Sequence, residues 1–419
     1  MKRKTLKIII IGHVDHGKST LIGRLLLDTN SLPKETVAEL KKISRELGRD
    51  TELAYLTDQL KEEREQRITI DTTQIFFKTP KRDYVIIDVP GHVEFLKNMI
   101  SGATLAEVAV LIVDTNEGIM EQTRRHAYII KLLGIERVIV LFNKMDLVGY
   151  DRARFEAVRR ELLQFLENLA IVNPIAIPVS AWKGDNISKP SRAMAWYEGL
   201  PFLAALESVE SGEKKAGRYF RFPVQDVYER LGERVMVGRI ASGTVREGDR
   251  VLRLPEGTAA MVKKIAVYPA TKPSADEGES VGIIAPEAPG AKRGDVLGDI
   301  NDPPLVTTSF TGNVFWMSQE PLEADKPVTL LLATQEATCR PISIEKRINS
   351  STLEVIEEHA RKLEMNEAAI VKFAAESPLV VELFSHVEEL GRFVIEKDYT
   401  VMGAGIVTAI DAQGHPRAR

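Results

Sequence analysis

The chain has 419 residues, 44% of them hydrophobic, a formal net charge of −4 and a single cysteine, Cys339. That much apolar material exceeds one small core, and the usual domain size predicts two to four. A lone cysteine excludes an internal disulfide and any thiolate-rich metal site. The mild acidity argues against a dominant nucleic-acid footprint, leaving room only for a local basic patch. No apolar run approaches the roughly 20 residues of a membrane span, and the N-terminus runs into a strand-like segment instead of a cleavable leader, so a soluble cytoplasmic protein is expected.

From Leu6 to about Glu207, β-rich apolar runs alternate with amphipathic helical stretches. Strands are expected at residues 7–11, 84–88, 108–114, 138–142 and 175–179, the pattern of a doubly wound, mostly parallel sheet. Residues 208–217 are polar, charged and glycine-containing, and read as a linker. Beyond it, short alternating runs such as 235–240, 249–252 and 281–285 are broken by Gly, Pro and Asp turns, which predicts antiparallel β-barrels. Pro303 and Pro304 divide this half. The expected architecture is an α/β domain over 1–210, a barrel over 217–301 and a second barrel over 305–412.

The first strand leads directly into Gly12-His13-Val14-Asp15-His16-Gly17-Lys18-Ser19-Thr20 and then a helical run. This is the G-x-x-x-x-G-K-S/T phosphate loop in its required strand–helix context. The two glycines let backbone wrap phosphate oxygens, Lys18 reaches the β and γ phosphates, and Ser19 offers a hydroxyl to Mg²⁺. Val14, Asp15, His16, Gly17, Lys18, Ser19 and Thr20 are therefore candidate nucleotide ligands.

That loop alone does not separate GTP from ATP. Asn143-Lys144-Met145-Asp146 at the end of the 138–142 run does. A carboxylate at Asp146 accepts from both N1–H and the exocyclic amine of guanine, and adenine lacks that amine. Asn143 would hold the loop, Lys144 would lie along the base, and a backbone N–H at Ser180-Ala181 would reach O6. Asp88-Val89-Pro90-Gly91 follows another strand: Asp88 can hold a Mg²⁺-bound water, and Gly91 brings its N–H to the γ phosphate. Thr69, in Arg67-Ile68-Thr69-Ile70, can bind Mg²⁺ and γ phosphate only while the latter exists. Loss of that phosphate would release both segments.

With these motifs in order and spacing, the sequence resembles the translational GTPases. The resemblance implies that His92, after the glycine of the Asp88–Gly91 segment, positions the attacking water, and that Val14 and Ile68 form a hydrophobic gate. Within that class, the insertion between Asp28 and Gln66, the run Glu121 to His126, Met194-Ala195-Trp196-Tyr197, and in the second half Arg221 to Gln225, Val314 to Met317 and Met402 to Val407 resemble the large, GTPase subunit of bacterial ATP sulfurylase. Two departures stand out. Arg67 replaces a glycine at the end of switch I, and His16 stands where that subunit commonly has an aspartate. No second phosphate loop occurs, so the kinase domain fused to some relatives is not expected.

The resemblance implies that GTP hydrolysis on this chain, with Lys18 and Mg²⁺ stabilising charge and His92 orienting water, drives formation of adenosine 5′-phosphosulfate on a separate small catalytic subunit. The apolar residues Val37, Leu40, Ile43, Leu47, Leu53, Leu56 and Leu60 fall at helical spacing within the insertion, where they either couple switch I to that partner or cover their own sheet. The competing expectations are an elongation factor delivering aminoacyl-tRNA and a regulatory switch with negligible turnover. Against the first of these stands the run Leu330 to Cys339, which lacks the histidines of a comparable run in archaeal and eukaryotic elongation factors.

Overall fold

The computed structural model describes residues 5–32, 73–88, 106–209, 219–230, 232–267 and 270–411. They fall into two compact units, Met1–Gly212 and Glu213–Arg419. In the first, β1 (Thr5–Gly12), β2 (Thr73–Lys78), β3 (Asp83–Asp88), β4 (Val108–Asp114), β5 (Val138–Asn143) and β6 (Ile175–Pro178) form one sheet in the order β2-β3-β1-β4-β5-β6. All neighbours are parallel except β2 with β3. Every residue of β4 and β5 is buried, as continuous apolar runs require in a parallel sheet covered on both faces. The helices are α1 (Lys18–Asp28), α2 (Glu121–Leu132), α3 (Arg152–Asn168) and α4 (Phe202–Ser208). Asp151 caps α3 by accepting from the N–H groups of Ala153 and Arg154.

The strand order reverses direction about β1, which lies between β3 and β4. In open α/β sheets that switch point, at the carboxyl ends of the strands, is where a crevice forms. The phosphate loop and the Asn143 segment both leave the sheet at such ends. β2 is the one strand of the sheet not among those expected. Its alternation is nonetheless regular, with Gln74, Phe76 and Lys78 exposed and Ile75 and Phe77 buried, and it is a period-2 signal at a sheet edge.

In the second unit, eight strands within 221–299 form an antiparallel sheet around Phe222, Val224, Met236, Val251, Ile265 and Leu297. Within 305–410, the strands Val328–Leu332, Arg392–Lys397, Thr400–Ile410, Leu305–Trp316, Glu367–Val381 and Gln335–Asn349 pair in that order, and the last pairs back to the first. This ring is a closed six-stranded barrel. The doubly wound domain followed by antiparallel barrels is the architecture expected from the sequence.

Phe310, Phe373 and Phe393 meet inside the closed barrel with centroids 5.4 to 5.6 Å apart. Gly405 makes room for the trio: a Cβ there would come within 2.4 Å of the Phe393 ring and 2.6 Å of the Asn313 carbonyl. The two halves of the unit are tied by Arg221, whose side chain is 5% exposed and whose Nε donates to Glu382 at 2.7 Å. Its Nη2 donates to Asp302 at 3.1 Å. Phe393→Ala is expected to destabilise the closed barrel by about 3–5 kcal/mol, read as an earlier guanidinium transition in the fluorescence of buried Trp316. An unmoved midpoint would show that the ring trio is not a packing centre.

Candidate functional site

The loop after β1 is shaped by two glycines. A Cβ on Gly12 would strike the Ile112 carbonyl at 2.4 Å, so only glycine lets β1 run so close to β4 at its end. Gly17 has φ 97° and would place a Cβ 2.4 Å from Asn143 Nδ2; it is the N-cap of α1. Gly17 has no side chain to cap that helix and no acidic residue lies in its first turn, so among the described residues its end is a positive one suited to an anion. Lys18 folds back over the loop, its Nζ donating to the carbonyls of Gly12 at 2.7 Å and His13 at 2.8 Å. The ammonium is thus held on the rim of the backbone cradle, which fits a phosphate chain.

Asn143, at the end of β5, joins this loop to the second motif. Its Nδ2 donates to the His16 carbonyl at 2.8 Å, and its Oδ1 accepts from the Ala181 N–H at 2.9 Å. The Ala181 amide expected at the base oxygen O6 is therefore already engaged with Asn143, and a base would share it. Lys144 has φ 62°, a left-handed conformation that costs a non-glycine residue about 1–3 kcal/mol and marks an over-determined site. Its ammonium pairs with buried Asp114 at 2.7 Å, leaving the methylene stem to lie along a base. Asp146 Oδ1 accepts from the Ser180 hydroxyl at 2.6 Å, which orients the carboxylate.

Three histidines surround the loop. His13 Nδ1 lies 2.6 Å from Gln122 Oε1 on α2; since that oxygen only accepts, the ring nitrogen is the donor. His16 is fully buried. The Asp114 N–H donates to its Nδ1 at 3.2 Å, while its Nε2 lies 3.2 Å from Glu117, so the proton resides on Nε2. Burial lowers its pKa, opposed by the Ile112 carbonyl and Glu117. The imidazole at this departure from the sulfurylase pattern thus faces β4 and the segment after it. On α2, His126 is buried and has its pKa lowered to about 3, chiefly by burial and then by Lys18, His13, His16 and Arg125.

The structure brings together Gly17, Lys18, Asn143, Ser180 and Ala181, with Asp146 and Lys144 on the same side of the sheet through the contacts above. Asp15 is exposed, and Val14, Ser19 and Thr20 are half-buried beside the helix start. Asp88 is the last residue of β3. Thr69, Gly91 and His92, together with Arg67, Ile68 and the apolar residues of the insertion, lie outside the described residues. Asp114, Glu117 and Gln122 were not legible as site residues. The run ending β4 offers only an aspartate after an apolar strand, and its role depends on Lys144 and His16, which are distant in sequence.

Asn143→Ala removes two bonds at once. At about 1–2 kcal/mol each, guanine-nucleotide affinity is expected to fall roughly thirtyfold to several-hundredfold, measured by calorimetry; an affinity within threefold of the parent would deny Asn143 its bridging role. A histidine whose folded pKa is depressed stabilises the fold fully above its unfolded value near 6.5. That stability is lost as pH falls from 6.5 toward about 3, by up to ~1.4 kcal/mol per pH unit. His126→Leu should therefore flatten the decline in thermal midpoint between pH 7 and 5, and an unchanged slope would assign the acid sensitivity elsewhere.

The family model for the elongation factor Tu GTP binding domain matches residues 3–231, and the model described as GTP-eEF1A C-terminal domain-like matches residues 309–408. Elongation factor 1-alpha of Archaeoglobus fulgidus is 38% identical over 97% of this chain and 98% of its own length. Elongation factor 1-alpha of Methanocaldococcus jannaschii is 37% identical over 98% and 99%, respectively. The bifunctional enzyme NodQ of Rhizobium sp. is 36% identical over 97% of this chain and 64% of its own length. The chain belongs to the elongation-factor family of translational GTPases, with GTP or GDP and Mg²⁺ as its cofactors.

Proposed function

We propose that the chain is a GTP-hydrolysing carrier of the elongation-factor type, whose GTP form takes up aminoacyl-tRNA and whose hydrolysis releases it. The observation that carries this reading is the two-way coverage of the archaeal elongation factors 1-alpha, which this chain matches over 97–98% of its length and 98–99% of theirs. Residues 1–210 are taken as the switch domain, 217–301 and 305–412 as the barrels that hold the cargo.

In this reading Val14 to Thr20 grip the phosphates, with Lys18 at the β and γ groups, and Asn143, Lys144, Asp146, Ser180 and Ala181 hold the base. Ser19, Asp88 through a water, and Thr69 would hold Mg²⁺, which when bound draws charge from the phosphate oxygens. Gly91 would donate its N–H to the γ phosphate. His92 would orient the attacking water and Lys18 would offset charge developing on the departing oxygen. Val14 opposite Ile68 would form the apolar gate.

A second reading, the GTPase subunit of a sulfate adenylyltransferase working with a small catalytic subunit, is favoured by two observations. One is the match to NodQ. The other is the hairpin formed by Val328–Leu332 and the start of Gln335–Asn349. Its outward residues Thr329, Leu331, Glu336 and Thr338 include no imidazole, and its inward residues Leu330, Leu332, Ala337 and Cys339 are barrel core.

One pair of assays separates the readings. On the first, protein loaded with a non-hydrolysable GTP analogue slows spontaneous deacylation of aminoacyl-tRNA at least tenfold relative to the GDP form; equal rates in the two forms would end it. On the second, the chain co-purifies with a small partner, and the pair releases pyrophosphate from ATP only with sulfate and GTP; release independent of GTP would end that reading. Asp146→Asn is expected to abolish the preference for GTP over ATP under both, since an amide cannot accept two hydrogen bonds from guanine without presenting a donor.

A further inference from the structure

The helix that begins at the phosphate loop also reaches the base-reading loop, through one side chain. Arg24, on α1, turns its guanidinium across to the segment after β6. Nε donates to the Ala181 carbonyl at 3.1 Å, and Nη2 donates to the Trp182 carbonyl. The guanidinium also faces Asp28 at 3.9 Å, and Asp28 Oδ2 accepts from the Ser188 hydroxyl at 2.6 Å. Both side chains of the ion pair are largely screened from water, 16% and 18% exposed. Gly184, at φ 82°, lies against the stem, where a Cβ would sit 3.6 Å from Arg24 Cδ and Cζ.

A peptide group is planar, so fixing a carbonyl fixes the N–H that follows it. Arg24 therefore sets two consecutive planes. The second carries the Lys183 N–H, which donates to Ser180 Oγ at 3.1 Å. That same hydroxyl donates to Asp146 Oδ1 at 2.6 Å. An unbroken path runs from α1 through the guanidinium, the Trp182–Lys183 peptide and Ser180 to the carboxylate that discriminates guanine. A planar fork with fixed donors suits two adjacent carbonyls, whereas an ammonium satisfies one well.

We propose that Arg24 is a positioning residue for base recognition, holding the Ser180 to Gly184 turn so that Asp146 and Ser180 stay aimed at the base. The proposal deepens the guanine-pocket reading and rests on it. It gives the chain a direct mechanical link between the element that grips phosphates and the one that reads the base, additional to Asn143.

The test compares GDP and ADP binding by calorimetry, with Mg²⁺, on the full chain and on Arg24→Gln and Arg24→Lys. Arg24→Gln is expected to weaken GDP about tenfold, the size of a charge-assisted bond, and to leave ADP within twofold. Selectivity then drops about tenfold, KM for GTP rises and kcat at saturation is unchanged; Arg24→Lys recovers part of the loss. A purely structural arginine would instead lower the thermal midpoint and weaken both nucleotides alike, which overturns the proposal. Should Arg24→Gln fail to fold, Ser188→Ala releases Asp28 and is expected to cost two- to threefold in selectivity, with none lost overturning the link. If the unaltered chain binds GDP and ADP equally, the guanine pocket itself is wrong; if it is selective and the Arg24 variants remain so, only the role of Arg24 falls.

Discussion

Asn143 is the point at which two loops become one pocket. It stands at the end of a fully buried strand, so its own backbone is fixed by the sheet, and its amide spends both ends on separate loops: donor to the His16 carbonyl, acceptor from the Ala181 N–H. An asparagine amide carries its donor and its acceptor on two separate atoms of one short, neutral group, so each loop meets its own end. The close approach has a steric condition at the other end. Gly17 must be glycine, because its φ is 97° and a Cβ would come within 2.4 Å of Asn143 Nδ2. The loop after β1 and the turn after β6 are thereby held in one geometry by protein groups, the preorganisation that the proposed nucleotide site needs.

The electrostatics around this joint follow from the same crowding. Lys144 takes a left-handed backbone to bring its ammonium onto Asp114, and Asp114 in turn receives the N–H groups of Asn116 and Glu117 on Oδ1. The Asp114 N–H is donated to His16 Nδ1, which places the single proton of that imidazole on the Glu117 side, while burial disfavours its charged form. His126, with no partner for Nδ1 among the described residues, is kept neutral by burial next to cations. Lys18 is thus the cation on the loop, while His16 within it and His126 on α2 are both pushed toward the uncharged form by burial.

Much of this was legible in the chain itself, and for physical reasons. The strands at 108–114 and 138–142 announce themselves because a doubly covered parallel sheet demands unbroken apolar runs, and Gly17-Lys18-Ser19 announces itself because backbone wrapping of phosphate tolerates few residue types. β2 was less visible, since an edge strand exposing Phe76 at 59% needs only half its residues to be apolar. Arg24, Asp114 and Gln122 were invisible. Each sits in an ordinary amphipathic or apolar context, and its role appears only when the fold sets it beside residues up to 158 positions away.

The choice between the two proposed readings follows a different logic. Identities of 38% to an elongation factor 1-alpha and 36% to NodQ differ little, so overall identity does not separate the two readings. Along the strand Gln335–Asn349 the burial alternates at its start, so Gln335, Ala337 and Cys339 are constrained by the barrel interior while Glu336, Thr338 and Arg340 are not. Packing therefore fixes the first group and leaves the second open to variation. Under either proposed reading a change of partner would draw on such outward positions, leaving the closed barrel and the Arg221 tie as they are.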